Sequence, residues 1–265
     1  MAHELHHFSM GMWVFFLAWL TSILGCYIGL TCARRARTAI YRQDKRRWTA
    51  LASVAIGGVG VWLMHFTGML GFEVPGAIVR YNLGLTLLSV VLAVGATWFG
   101  LTVVDADEPW MQWLPDELRL PLGSLIMGLA VGAMHYSGMA AVRVEGTLEQ
   151  SLPYVLASFA IGIVASFTAL WLSLNVDRRA VRFPAAALMG CAVVALHYTG
   201  MAGVSVVMDP VATMPEGMAA MTLLFPGFVV GIIVLAATVV LLMAAPSDED
   251  LEREYAIADW MNDVR

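Results

Sequence analysis

Seven stretches of this chain are long and apolar enough to cross a bilayer. They fall at 10–33, 48–71, 82–104, 121–142, 153–175, 183–207 and 220–245. A spanning helix needs about 20 mostly apolar residues, and each stretch supplies them. Hydrophobic residues make up 60% of the chain and charged ones 13%, whereas a soluble domain carries about half and about a quarter. The expected fold is therefore an all-α integral membrane protein with seven transmembrane helices. Pairs of these helices form three repeats, and a final helix follows them.

The basic residues orient it. Cytoplasmic loops collect Lys and Arg. The link after the first helix holds Arg34, Arg35, Arg37, Arg42, Lys45, Arg46 and Arg47. Arg119, then Arg178, Arg179 and Arg182, then Arg253 and Arg265 fall on the same side. That is 13 of the 15 basic residues; Arg80 and Arg143 fall on the other. The N-terminus is expected outside and the C-terminus inside. Residues 1–9 form an extracytoplasmic segment, 10–245 the membrane domain and 246–265 a short acidic cytoplasmic tail. In that tail Ser247 and Asp250 suggest a capped surface helix. No Lys or Arg precedes the first apolar run, which is too long for a cleaved signal peptide and ends in a stop-transfer run of arginines. The tail is too short for an output domain, so a separate cytoplasmic partner is expected. Apart from one short link there is no basic surface of the kind that binds nucleic acid. Cys26, Cys32 and Cys191 all fall in apolar runs; an odd number there reads as small buried hydrophobes rather than disulfides.

A six-residue string is written three times: Met64-His65-Phe66-Thr67-Gly68-Met69, Met134-His135-Tyr136-Ser137-Gly138-Met139 and Leu196-His197-Tyr198-Thr199-Gly200-Met201. Each copy ends an even-numbered helix. Gly58, Gly128 and Gly190 lie seven residues before each His. A weaker repeat closes the odd helices at Tyr27–Thr31, Trp98–Thr102 and Trp171–Asn175. Repeats of this kind often surround a site at their common interface. The topology puts His65, His135 and His197 at one depth near the outer face, on the same side as His3, His6 and His7.

Positions i and i+4 share a helix face. His65 therefore goes with Met69, His135 with Met139 and His197 with Met201. The glycine two turns back lets helices approach, so this face should point into the bundle. Imidazole with thioether and no carboxylate favours copper over zinc, calcium or magnesium. Neutral ligands also spare the bilayer a buried negative charge. Met64 and Met134 sit about 100° around the helix and read as packing or supporting groups. Thr67, Ser137 and Thr199 can bond back to a carbonyl of the preceding turn. Tyr136 and Tyr198 can orient a neighbouring His, which Phe66 cannot. An isolated intramembrane His is commonly a packing group, but three in one context argue for a shared site. The sixth link, with Met208, Met214, Met218 and Met221, reads as ordinary lid packing.

These residues closely resemble the MHYT domain family of bacterial membrane sensors, named for its Met-His-Tyr-Thr motif. The resemblance implies a sensor of a diatomic gas (oxygen, CO or NO) through protein-bound copper, in the cytoplasmic (inner) membrane of a bacterium. In many relatives the domain is fused to cyclic-di-GMP enzymes. Phe66, Ser137 and Leu196 depart from the motif, while all three His and all three trailing Met are kept. No catalytic acid or base accompanies the motif, so the chain is expected to be a sensor rather than an enzyme, one that responds to a gas or to the metal itself. The alternatives are copper delivery or transport, and a membrane oxidoreductase with copper or haem.

Overall fold

The structure, a computed structural model, describes residues 9–105, 114–209 and 212–245. Among these residues seven helices are long and apolar enough to span a membrane. They are α1 (Trp13–Thr38), α2 (Arg42–Met69), α3 (Leu83–Val103), α4 (Asp116–Ala141), α5 (Leu152–Asn175), α6 (Arg179–Ala202) and α7 (Ala220–Ala244). Each expected run has its helix. The N-terminal histidines His3, His6 and His7, the tail and Ser247 lie outside the described residues.

Two boundaries move for physical reasons. Helix α1 continues through Arg34, Arg35 and Arg37 to Thr38, so the first basic cluster sits on two helix ends around a link of only 39–41. Helix α6 stops at Ala202 rather than near 207, because Val204–Met208 is strand β4. That strand pairs antiparallel with β3 (Gly146–Gln150). Two further short strands, β1 (Arg80–Tyr81) and β2 (Val142–Arg143), pair with Arg80 opposite Arg143.

Helices α1 to α6 form a closed ring in chain order: each touches the next, and α6 returns to α1. Helix α7 lies outside the ring against α2 and α1. The burial follows: 67% of the most apolar stretch of α2 is buried, against 11% for α7. The ring is filled by one large apolar cluster that includes Cys26, Ile56, Val61, Met127, Val131, Met134, Met189 and Leu196. Cys26 and Cys32 are buried as expected, but Cys191 is exposed, since it faces out of the ring near α1.

The middle of α2, Val54–Leu63, is π-helical. Its Gly57, Gly58 and Gly60 allow the wider turn, and the wider turn rotates the glycines. In α4 and α6 the glycine seven before the His lies in a helix contact. A Cβ on Gly128 would sit 2.5 Å from Ile163 Cα, and one on Gly190 2.9 Å from Ile23 Cγ1. In α2 the expected Gly58 is not in a tight contact, its nearest neighbour being 3.5 Å away. The close approach passes to Gly57, where a Cβ would be 2.4 Å from the Ala93 carbonyl oxygen.

Candidate metal centre

The three motif copies end three helices that alternate around the ring, so their first inward residues face one axis. His65, His135 and His197 are each at most 1% exposed. Nδ1 of His65 lies 3.0 Å from Nδ1 of His197 and 3.2 Å from Nδ1 of His135. The ring centroids are 4.9, 5.0 and 5.4 Å apart, with planes 81° to 84° from parallel. The three imidazoles thus form a small propeller with their Nδ1 atoms at the hub.

Glycine makes this possible. A Cβ on Gly68 would lie 2.5 Å from Nε2 of His197, one on Gly138 2.5 Å from Nε2 of His65, and one on Gly200 2.4 Å from Nε2 of His135. The relation is cyclic: each repeat's glycine seats the preceding repeat's imidazole, with the first repeat's glycine seating that of the third. From sequence the methionine and histidine stand out and this glycine reads as ordinary packing. The signal was its presence in all three copies at His plus three.

The hub is electrostatically demanding. A neutral imidazole carries one N–H and one lone pair. In-plane, Nδ1 of His65 can donate or accept but cannot do both, so its two neighbours are not both satisfied by hydrogen bonds. With the proton on Nε2, three lone pairs point at one spot. Nitrogens about 2.0 to 2.1 Å from one ion would stand roughly 3.3 to 3.6 Å apart in tetrahedral or trigonal geometry. The observed 3.0 and 3.2 Å fall just short of that span, so a slight outward shift of the rings would let the donor set take a small cation. Nε2 of His65 and of His135 finds no hydrogen-bond partner among the described residues. Close packing on glycine, rather than a hydrogen bond, therefore holds the outer nitrogen of these two rings.

The trailing methionines lie one helical turn, about 6 Å, beyond the histidines. Met69, Met139 and Met201 come together in a single buried cluster with Phe66, Phe72, Tyr81 and Leu224. The leading methionines do not join them: Met64 packs with Ala18 and Val194, and Met134 lies in the ring core. Tyr136 does not orient a histidine. Its hydroxyl stands 2.6 Å from Ser158 Oγ, which donates to the Val155 carbonyl, so the phenol is the donor. Tyr198 packs on Phe15 of α1 at 5.4 Å. Thr67 and Ser137 bond back to the carbonyls of Leu63 and Met134, as expected.

The links after α2, α4 and α6 close this end. Tyr81 and Met218 exchange two backbone hydrogen bonds, Asn82 N–H donates to Ala141, and Ser151 N–H to Gly203. Tyr81 is buried beneath them, which raises its phenol pKa above the ordinary value. Of the sixth link's methionines, Met208 and Met218 pack beneath the lid, while Met214 and Met221 are exposed.

The opposite end carries the arginines. Arg37 donates to the Ser173 carbonyl and meets Asp177 at 2.6 Å. Arg182, buried, reaches Thr31 Oγ1 and the Asp177 carbonyl. Lys45 pairs with Asp105 at 2.6 Å, and Arg119 with Asp116 at 3.2 Å.

Two segments, residues 58–114 and 128–186, match the MHYT model, described as a bacterial signalling protein N-terminal repeat. Both begin on the glycine seven residues before the His. The chain is 41% identical over 189 residues to the bifunctional diguanylate cyclase/cyclic di-GMP phosphodiesterase MucR of Pseudomonas aeruginosa, covering 69% of this chain and 26% of that protein. It is 33% identical over 246 residues to the cyclic di-GMP phosphodiesterase NbdA of the same organism, covering 91% and 30%. An uncharacterized signaling protein of Caulobacter vibrioides is 29% identical over 197 residues, covering 73% and 23%. The chain thus spans under a third of the length of these relatives. No solved structure gives a significant match. With two matched repeats, a third written in the same phase and signalling proteins as relatives, this multi-pass membrane chain belongs to the MHYT family.

Proposed function

We propose that the chain is a membrane sensor, not an enzyme, whose histidine triad holds copper. In this reading His65, His135 and His197 supply three nitrogens, and Met69, Met139 and Met201 supply thioether sulfur from the next layer. The histidine end faces outward and the arginine end faces the cytoplasm of the inner membrane. A diatomic gas (oxygen, CO or NO), or the metal itself, alters the ligand set and the helix ends, and a separate signalling partner reads the change. The observation that carries this is the spacing of the three Nδ1 atoms, 3.0 and 3.2 Å along the two edges that meet at His65. The soft, uncharged donors then favour copper.

The same geometry supports sensing over the alternatives. Imidazole nitrogens about one hydrogen bond apart leave no room for a porphyrin between them. Inward of the triad, the ring core encloses a cavity of only about 20 Å³ among Ile56, Met127, Val131, Met189 and Leu196. That is about the volume of one water probe, with apolar walls, which argues against conduction of an ion.

The test is metal analysis with absorption and EPR spectra on protein purified without an affinity tag. Stoichiometric copper, lost when His65, His135 and His197 are all changed to Ala, is the expected result. Copper content that is the same in both proteins would overturn the proposal.

A further inference from the structure

Three seams in the ring are equivalent. In two of them the aromatic residue after the motif His meets the following odd helix, Tyr136 on Phe159 of α5 and Tyr198 on Phe15 of α1, while Phe66 packs on Trp62 and Tyr81. The weak repeat aligns Gly29, Gly100 and Ser173, so Phe15, Thr86 and Phe159 are matched positions. The seams are finished differently. At α4/α5, Tyr136 stacks on Phe159 with planes 18° apart and bonds Ser158, and the Phe159 ring fills the space over Gly132. At α2/α3, Thr86 replaces the aromatic ring and α7 packs across the gap, leaving a cavity of about 380 Å³ whose walls include Trp62, Leu63 and Leu223 but no motif residue. At α6/α1 the Tyr198 and Phe15 rings are tilted 41°, and among the described residues no other helix lines the seam. A groove of 580 Å³ remains, with Trp19, Cys191, Val194 and Met201 also in its walls.

The groove ends on Met201, one turn from His197, and its walls are almost wholly apolar. Other routes to the triad are shut among the described residues. The lid and the methionine cluster cover one side, and the ring core fills the other. Because α1 and α6 both span the membrane, the groove opens to hydrocarbon rather than to water. A charged ligand would lose its hydration along this path at a cost of several kcal/mol or more, while a small neutral one would not. Methionine is flexible about three bonds, so Met201 can move aside without disturbing the helix.

We infer that the α6/α1 groove is the access route to the triad, and that what uses it is a small, neutral, lipid-soluble molecule arriving from the bilayer. The inference rests on the triad being a ligand-binding centre, as proposed above. Cys191 is the exposed cysteine of the described three and lies in the groove, so it can be plugged. Benzyl methanethiosulfonate on Cys191 of copper-loaded protein should slow CO association at least about tenfold, an added barrier of about 1.4 kcal/mol. Copper content and equilibrium CO affinity should stay unchanged. Cys191→Ser should be indifferent to the reagent, and Ala195→Trp should reproduce the slowing without chemistry. An unchanged association rate in both blocked forms, or no CO binding by copper-loaded protein, overturns the route. If the protein proves to hold no copper, the metal reading fails by itself. A nitroxide on Cys191 then judges the groove alone: relaxation by oxygen but not by water-soluble nickel chelate supports a hydrocarbon route, and relaxation by the chelate overturns it.

Discussion

The two ends of the bundle are built from the same three repeats but to different standards. At the histidine end each copy keeps its His, its glycine and its methionine, and each glycine seats the preceding copy's imidazole. At the arginine end the ion pairs among the described residues are not threefold. Arg37 of α1 and Arg182 of α6 both converge on Asp177, Arg119 of α4 turns back on its own helix start, and Lys45 of α2 takes Asp105. Three donors around one ion must hold nearly equal distances, so any drift in one repeat spoils all three. Ion pairs at a helix end carry no shared distance and are free to drift. Symmetry here marks the place where a common geometry is required.

The strongest way to break this contrast is through glycine. Gly138→Ala would drive a methyl into His65, whose Nδ1 meets both other rings. Copper affinity, measured by competition with a Cu(I) chelator, should fall about 10- to 100-fold, as expected when the support of a metal ligand is lost. Gly68→Ala and Gly200→Ala should act on His197 and His135 in the same way. Gly95→Ala on α3, where a Cβ meets nothing within 4 Å, should leave affinity unchanged.

A second contrast lies within the repeats. Gly128→Ala presses its methyl on the Ile163 backbone, which cannot rotate away. Overpacking of this kind costs about 1–3 kcal/mol, read as a lower melting temperature in lipid or detergent. Gly58→Ala, at the equivalent position in α2, should cost little, because the π-helical turn leaves its Cβ at an ordinary 3.5 Å from Val94. Equal destabilisation by both would show that the π segment does not set the packing of the first repeat.

Spanning helices and the triplicated motif were legible in the chain because both are local patterns: apolar length, and an i, i+4 face. Each helix appears within a few residues of its expected run, and three histidines placed by topology at one depth do meet. The strands that form the lid were not legible. Val204–Met208 reads as the tail of an apolar run, and only its pairing with Gly146–Gln150 separates it from α6. Nor was the role of Gly68, Gly138 and Gly200. The atom each glycine avoids belongs to a residue more than 60 positions away, so no local period reports it. Gly58 stands seven residues before its His just as Gly128 and Gly190 do, and the rotation that removes it from the tight interface exists only in three dimensions.

Tyr136→Phe separates support of the fold from support of the site. The phenol donates to Ser158 across the α4/α5 seam. Its loss should cost about 0.5–1.5 kcal/mol of stability. Because the hydroxyl contacts serine rather than imidazole, copper affinity should stay within about twofold, equivalent to roughly 0.4 kcal/mol. A larger drop in affinity would restore the hydroxyl to the site.

The smallest effect is expected at the other end. Asp177→Asn removes the charge facing Arg37, whose side chain is 25% exposed while that of Asp177 is 68% exposed. Pairs this wet contribute about 0–1 kcal/mol. Arg37 keeps its bond to the Ser173 carbonyl, and Arg182 keeps the Asp177 backbone oxygen, so the low end of that range applies. The informative measurement is again copper affinity. If the two ends are independent, the substitution leaves it unchanged. If the triad and the arginine end are coupled, as a sensor requires, Asp177→Asn shifts copper affinity, and copper shifts the strength of the Arg37–Asp177 pair by the same free energy. A shift at the triad from a change at the far end of the helices would turn a contrast between two ends into a linkage between them.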